Sequence, residues 1–288
     1  MEDVVEDADT PGLGEGTRIE SAADPRVAEF RHLKRGDLRP GTPANPPTVI
    51  IEGHLALLRA LTGPLEIRSV LVTPARARSL SDLLGTLPED VALYVAERPV
   101  LEALTGFDVH RGVLASAARP APVRAADLLE GARRVVGLEG LTDLENVGAA
   151  FRNAAALGLD AVLIDGRCAD PLSRRCVRVS LGWSTVVPHA RLAPGEALLP
   201  TLASVGLRAV ALSPQQGSVP IDVAVANGVL DDPVALLVGS EGPGLEPGTI
   251  EGADHTVCIP MANEVDSLNA ATALAVVSAF AASRRGWS

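Results

Sequence analysis

The sequence predicts an α/β protein built from two domains. Three observations carry that expectation. Short β-branched runs alternate with helix-period segments along most of the chain, the 288 residues exceed what one core usually organises, and a Pro- and Ala-rich stretch, ARPAPVRAADLLEGAR, interrupts the alternation near the middle. No apolar stretch reaches the roughly 18 residues of a membrane span. The first residues, MEDVVEDADT, are acidic where a signal peptide is basic and then apolar, so a soluble cytoplasmic protein is expected.

Residues 1–20 read as an acidic disordered tail. Glu2, Asp3, Glu6, Asp7, Asp9 and Glu15 stand there before any basic residue, and such composition cannot bury enough apolar surface to fold. These six account for more than half of the net charge of -11, leaving the body near -5, so the acidic balance is a weaker argument against a polyanionic partner than it first looks. Of the 25 basic residues, all but Lys34 are Arg, the residue better suited to bidentate phosphate contacts, although a GC-rich genome also enriches it.

Next, ADPRVAEFRHLKRGDL mixes helix-like spacing with a basic cluster, Arg26, Arg31, His32, Lys34 and Arg35, which is either a solvated face or an RNA contact. A Pro-rich loop, RPGTPANPPT, leads into VIIEGHLALLRALTG, a β-branched strand followed by an amphipathic helix that stops at Gly63-Pro64. RSVLVT, VALYVA and GVLASAA read as strands, with helices around ARSLSDLLGTL and RPVLEALTG between them. These elements make a first domain over residues 21–117, with residues 118–132 as a linker.

The second domain, residues 133–288, continues the alternation. RRVVGLEG, DAVLID, LRAVALS, VALLVG and TVCIP are strand-like, while LENVGAAFRNAAALG, SRRCVRVSLG, GEALLPTLASVG and the final Ala-rich segment are helical. Cys168, Cys176 and Cys258 form no CxxC pair and the five His residues are scattered, so reduced thiols and no metal site are expected. His189, His255 and Trp183 read as packing or surface residues.

Three segments of this half break the local rules, and such breaks tend to mark function. In TDLENVGAAFRNAAALG, Asn146 suits a helix N-terminus, Val147, Phe151 and Ala154 form the buried stripe, and Arg152 adjoins that stripe among small apolar residues. In LLVGSEGPGLEPG a buried strand runs into a turn with Gly239, Gly242 and Gly244, which let a ligand approach the backbone; the spacing fits neither a P-loop nor a dinucleotide fingerprint. Glu241 in that turn could orient an Arg or cap a helix. In IPMANEVDSLNAATALAVVSAFAAS, Ile259-Pro260-Met261 and Leu268 offer an apolar slot. Ser267 and Asn269 stand where an apolar helix begins, with Asp266 or Ser267 as its cap.

Taken in order, the three segments resemble the motifs of the SpoU (TrmH-like) ribose methyltransferases of the SPOUT superfamily. N-x-G-x-x-x-R is present as Asn146, Gly148 and Arg152 with Asp143 before it, G-[ST]-E-x-x-G as Gly239, Ser240, Glu241 and Gly244, and I-P-M with S-L-N as Ile259–Met261 and Ser267–Asn269. Leu144 stands where the family often has Pro, and Asn263 where Gly is usual. More weakly, VIIEGHLALLRAL and HRGVLA look like an L30e-like RNA-binding domain.

The resemblance implies a C-terminal SPOUT domain with a trefoil knot and an N-terminal L30e-like α/β domain. It also implies S-adenosyl-L-methionine as cofactor, held by Leu237, Val238, Gly239, Gly244, Ile259, Met261 and Leu268. The implied reaction is methylation of a ribose 2′-hydroxyl in structured RNA, most simply ribosomal RNA, without a metal. Arg152 would bind phosphate and stabilise the developing alkoxide, because a guanidinium with a pKa above about 12 is a reluctant base; Asn146, Glu241, Ser267 and Asn269 would orient it and the ribose. A homodimer through the knotted region is implied as well. A tRNA 2′-O-methyltransferase and a non-catalytic RNA-binding protein of the same fold are the alternatives.

Overall fold

The computed structural model describes residues 16–33, 48–109, 111–263 and 265–283. Residues 1–15 of the acidic tail, Lys34, Arg35, the Pro-rich loop up to Pro47, His110 and Glu264 lie outside the described residues. The chain divides into two units, Met1–Arg119 and Pro120–Ser288.

In the first unit, β1 (Thr17–Ile19), β2 (Thr48–Glu52), β3 (Ile67–Val72), β4 (Ala92–Ala96) and β5 (Val113–Ala118) form one sheet in the order β1-β4-β3-β5-β2. β5 is antiparallel to both neighbours, and the other pairings are parallel. The helices are α1 (His54–Thr62), α2 (Pro74–Ser79), α3 (Ser81–Leu84) and α4 (Arg98–Thr105). In α4, Leu101, Leu104 and Thr105 face the core at i, i+3 and i+4, and Gly106 ends the helix at φ +82. Serines within the central strands are satisfied in place: Ser69 and Ser116 share a hydrogen bond of 2.8 Å, and Ser116 donates to Glu29 at 2.7 Å.

Three expectations are corrected here. Thr17–Ile19 belong to β1, paired with Tyr94–Ala96 and burying Ile19, so the sheet claims the end of the expected tail through a non-local pairing that three residues cannot announce. The Pro25–Phe30 segment is a 3-10 helix capped by Asp24; Arg26 pairs with that carboxylate at 2.6 Å, and Arg31 donates to the Ala22 and Asp24 carbonyls. Two of the basic residues read as a possible RNA contact therefore close a local turn. The helix around ARSLSDLLGTL is two short helices, α2 and α3, broken at Leu80.

In the second unit, β6 (Arg134–Glu139), β7 (Ala161–Ile164), β8 (His189–Arg191), β9 (Arg208–Leu212), β10 (Val219–Pro220), β11 (Val234–Gly239) and β12 (His255–Cys258) form a parallel sheet in the order β10-β12-β9-β11-β6-β7-β8. The helices are α5 (Ala125–Leu129), α6 (Leu144–Ala156), α7 (Arg174–Val179), α8 (Leu198–Ala203), α9 (Ile221–Ala226), α10 (Pro247–Gly252) and α11 (Ala270–Ser283). Every residue of β11 is buried, the continuous apolar pattern of a parallel strand covered on both faces. Its period-2 alternation sends Leu236 and Val238 into a core with Phe151 of α6 and Leu274 of α11, and Ala235 and Leu237 into a second core with Leu198 and Leu202 of α8.

The expected linker is corrected too. Residues 125–129 form α5, whose Ala125 and Leu129 are buried against Leu163, Leu198 and Leu202. One turn carrying two apolar residues at i and i+4 is enough to dock a segment whose composition reads as a connector. Among the described residues no helix is long and apolar enough to cross a membrane.

Candidate active site

Because the strands are parallel, the carboxyl ends of β6, β9, β11 and β12 share one edge of the sheet, the edge at which open α/β folds place ligands. A cleft of about 670 Å³ opens there. It lies between the loop after β11, residues Ser213–Gln215 after β9, Cys258–Ile259 with Met261 after β12, and the start of α11. That volume falls inside the range of roughly 300–1,000 Å³ typical of small-ligand sites.

The loop after β11 is shaped by glycine where space and backbone conformation demand it. A Cβ on Gly239 would lie 2.1 Å from both the Gly244 carbonyl carbon and the Leu245 nitrogen, so the loop folds back onto the strand end where no side chain fits. Reciprocal hydrogen bonds of 3.1 Å between the Ser240 and Gly244 backbones close it, with Gly242 and Gly244 at φ +84 and +74.

Three residues read as site candidates from separate segments meet in one network. Asn269 begins α11: its Oδ1 accepts from the backbone N–H groups of Ala271 at 3.0 Å and Thr272 at 3.2 Å, which fixes the amide so that Nδ2 can only point away from the helix. Nδ2 donates to Asn146 Oδ1 at 2.7 Å and to Glu241 Oε1 at 2.8 Å, and Asn146 Nδ2 donates to that same Oε1 at 2.8 Å. Capping and site geometry are thus two ends of one side chain, and the expected caps Asp266 and Ser267 do not supply it. Likewise α6 is capped by Asp143, whose carboxylate accepts from Glu145 N at 3.0 Å, while Asn146 lies inside the helix and is buried.

The remaining candidates divide. Val238, Gly239, Glu241, Gly244, Ile259, Met261, Ser267, Leu268 and Asn269 line the cleft. Leu237 does not, because strand alternation turns its side chain to the opposite core. Arg152 lies outside the lining, exposed on α6, and makes no hydrogen bond or ion pair with the described residues. The orienting contacts to it expected from Asn146, Glu241, Ser267 and Asn269 are therefore not formed here; those of Asn146, Glu241 and Asn269 are spent on one another. Gly148 is a packing glycine: a Cβ there would lie 2.9 Å from Val179 Cβ and 3.0 Å from the Cys176 carbonyl of α7.

The two departures from the motif pattern have local explanations. Asn263 has φ +56, a left-handed conformation that Asn tolerates best after Gly. Leu144 is the first residue of α6, where Pro is favoured but not required. Edge-to-face contact with Phe151, ring centres 5.2 Å apart, accounts for His189 as a packing residue.

Two residues that the sequence reading passed over also bear on the site. Asn153 Nδ2 donates to the Ala271 carbonyl at 2.7 Å, a second tie between α6 and α11; its signal was a polar residue seven positions after Asn146. Glu139, at the end of β6, is a buried carboxylate that accepts from the Glu246 backbone N–H at 2.8 Å and from Thr249 Oγ1 at 2.7 Å.

Residues 133–279 match the SpoU rRNA Methylase family. An uncharacterized tRNA/rRNA methyltransferase of Mycobacterium tuberculosis is 42% identical over 253 residues, 88% of this chain and 87% of that protein. The 23S rRNA (guanosine-2′-O-)-methyltransferase RlmB of a Burkholderia species is 29% identical over 226 residues, 76% of this chain and 90% of that one. Among solved structures, an AdoMet-bound rRNA methyltransferase of Sinorhizobium meliloti is similar with a TM-score of 0.75 at 24% identity, over 96% of this chain and 100% of its own.

Proposed function

The chain belongs to the SpoU rRNA methylase family, and from that premise we propose that it transfers a methyl group from S-adenosyl-L-methionine to a ribose 2′-hydroxyl of structured RNA, most simply ribosomal RNA. The observation that carries the reading is the meeting of Asn146, Glu241 and Asn269, from three distant segments, at the lip of one cleft. The RlmB likeness supports ribose as acceptor and ribosomal RNA as substrate.

The cleft suits such a cofactor. Its volume is adequate, Ile259, Met261 and Leu268 give it an apolar wall, and Gly239, Gly242 and Gly244 of the turn bring backbone to its surface. When bound, the cofactor supplies an electrophilic methyl on a sulfonium; the net change breaks one C–S bond, forms one C–O bond and releases one proton. Arg152, a cation without a partner among the described residues, is available to bind the phosphate beside the target ribose and to stabilise negative charge developing on its oxygen. Asn146 and Asn269 hold Glu241 in place, and Ser267 lines the cleft as a hydroxyl available to the ribose.

The first unit suits RNA, in keeping with an L30e-like role. Arg76, Arg78 and Arg98 line a second cleft of about 470 Å³, and Arg111 adjoins Gly53 nearby. Arg78 and Arg111 are exposed and make no side-chain hydrogen bond or ion pair with the described residues. A trefoil knot and a homodimer through the second unit belong to the same proposal. The placing of β11 between β9 and β6 supports the first, and the partly exposed apolar face of α11, with Phe280, supports the second.

Isothermal titration with S-adenosylmethionine, beside Gly239→Arg, followed by radiolabelled transfer to total ribosomal RNA and tRNA, tests the reading. Binding by the wild type alone, with label in ribosomal RNA as an alkali-resistant dinucleotide, is the expected result. Label in tRNA would move the substrate, an alkali-labile product would move the acceptor to a base, and absence of binding would leave an RNA-binding protein.

A further inference from the structure

We infer that Glu139 is a positioning residue for the cofactor cleft: from the end of β6 it holds the far end of the glycine-rich loop in the conformation that walls the cleft. The inference rests on the cofactor reading above. Glu139 lies opposite Gly239 in the β6/β11 register and is only 8% exposed. Both carboxylate oxygens are used, Oε2 by the Glu246 N–H and Oε1 by the Thr249 hydroxyl. Glu246 is the N-cap of α10, whose own side chain makes no cap, and its backbone N–H, one of the free donors at a helix start, is taken up by Glu139 in a part-buried bond. Glu139 therefore does from a neighbouring strand what the third residue of a capping box does from within a helix.

This contact fixes the loop where it matters. The loop has two anchored ends, Glu241 in the Asn146–Asn269 network and Glu246 on Glu139, with two positive-φ glycines between them. Gly244 and Leu245, which line the cleft, immediately precede Glu246 and pack backbone-to-backbone against Gly239. Glu246 also pairs with Arg167 at 2.6 Å, but those side chains are 56% and 57% exposed, and exposed pairs contribute little. The buried carboxylate is the anchor that decides the loop's position.

The chemistry separates acceptor from charge. Gln at this position can still accept from the Glu246 N–H with its oxygen and donate its amide to the Thr249 hydroxyl, which can rotate to accept. Met keeps the length and offers neither. We would measure the Kd and KM for S-adenosylmethionine, kcat, thermal midpoint, and hydrogen exchange at residues 240–249 in the ligand-free protein. For Glu139→Met the Kd and KM are expected to rise about tenfold, a loss of about 1.4 kcal/mol, with kcat at saturating cofactor within about twofold and faster loop exchange. Glu139→Gln is expected within about twofold of wild type in all of these. Leu104→Ala, in the first unit, supplies a destabilised control with unchanged Kd. Should Glu139→Met fail to fold, Thr249→Val against Thr249→Ser poses the same question, with the hydroxyl variant restoring tight binding. Unchanged Kd and loop exchange in Glu139→Met, or Gln behaving like Met, would overturn the inference. A wild type that binds no cofactor overturns the functional reading instead, and loop exchange in Glu139→Met still decides whether the anchor exists.

Discussion

Asn269 shows how much one side chain decides. Its oxygen caps α11 and its nitrogen joins Asn146 and Glu241, so the two roles can be parted by chemistry. Asn269→Asp keeps an oxygen cap but sets a carboxylate against Glu241. Turnover should fall at least tenfold while the thermal midpoint drops less than in Asn269→Ala, which also loses a cap worth roughly 1 kcal/mol. Equal losses of midpoint and turnover in both variants would reduce Asn269 to a cap. Arg152 is the complementary case, a cation with no hydrogen bond or ion pair among the described residues. Arg152→Ala should lower kcat by roughly 100-fold, the scale of losing one transition-state donor, with cofactor Kd unchanged; ordinary turnover would remove it from the chemistry. The identities of Asn146, Glu241 and Asn269 were legible from motif order, whereas their mutual bonds, and the absence of any to Arg152, were not: contacts across 95 and 123 residues of chain leave no local trace.

At the scale of elements, β11 and α6 were readable because burial on both faces and a helical stripe each impose a strong period. α5 and β1 were missed because five and three residues carry too little pattern, and packing alone makes them. The core that β11 and α6 enclose has a pH signature. Burial pushes the Cys168 and Cys176 thiols up to about 12. The folded state thus favours the neutral thiol, while the unfolded thiol ionises from about 8.5 upward. That contribution to stability is complete below the unfolded value and is lost progressively as pH rises toward the folded one. Denaturant midpoints are expected to be level between about pH 6 and 8 and to decline from about pH 9. A Cys168→Ala/Cys176→Ala variant should start lower and decline less; the same slope would place the effect elsewhere.

For the whole molecule, the division of labour between the units can be tested without assuming their arrangement. Arg78→Glu with Arg111→Glu should raise the KM for RNA at least tenfold and flatten its salt dependence, leaving the cofactor Kd untouched. An unaltered RNA KM would take the first unit's arginines out of recognition. Sedimentation is expected to show a dimer that Phe280→Glu converts to monomer with loss of activity, and an active wild-type monomer would end that part of the proposal. By itself the sequence determined the α/β class, the two-part organisation, the family and the residue types of the site, because periodicity and motif spacing are local properties. Only the tertiary structure decided which caps are used, that the expected linker is core, and that Glu139 anchors the loop. The caps and the Glu139 contacts depend on which polar group reaches which donor, and the burial of α5 on apolar packing against Leu163, Leu198 and Leu202; local composition sets neither.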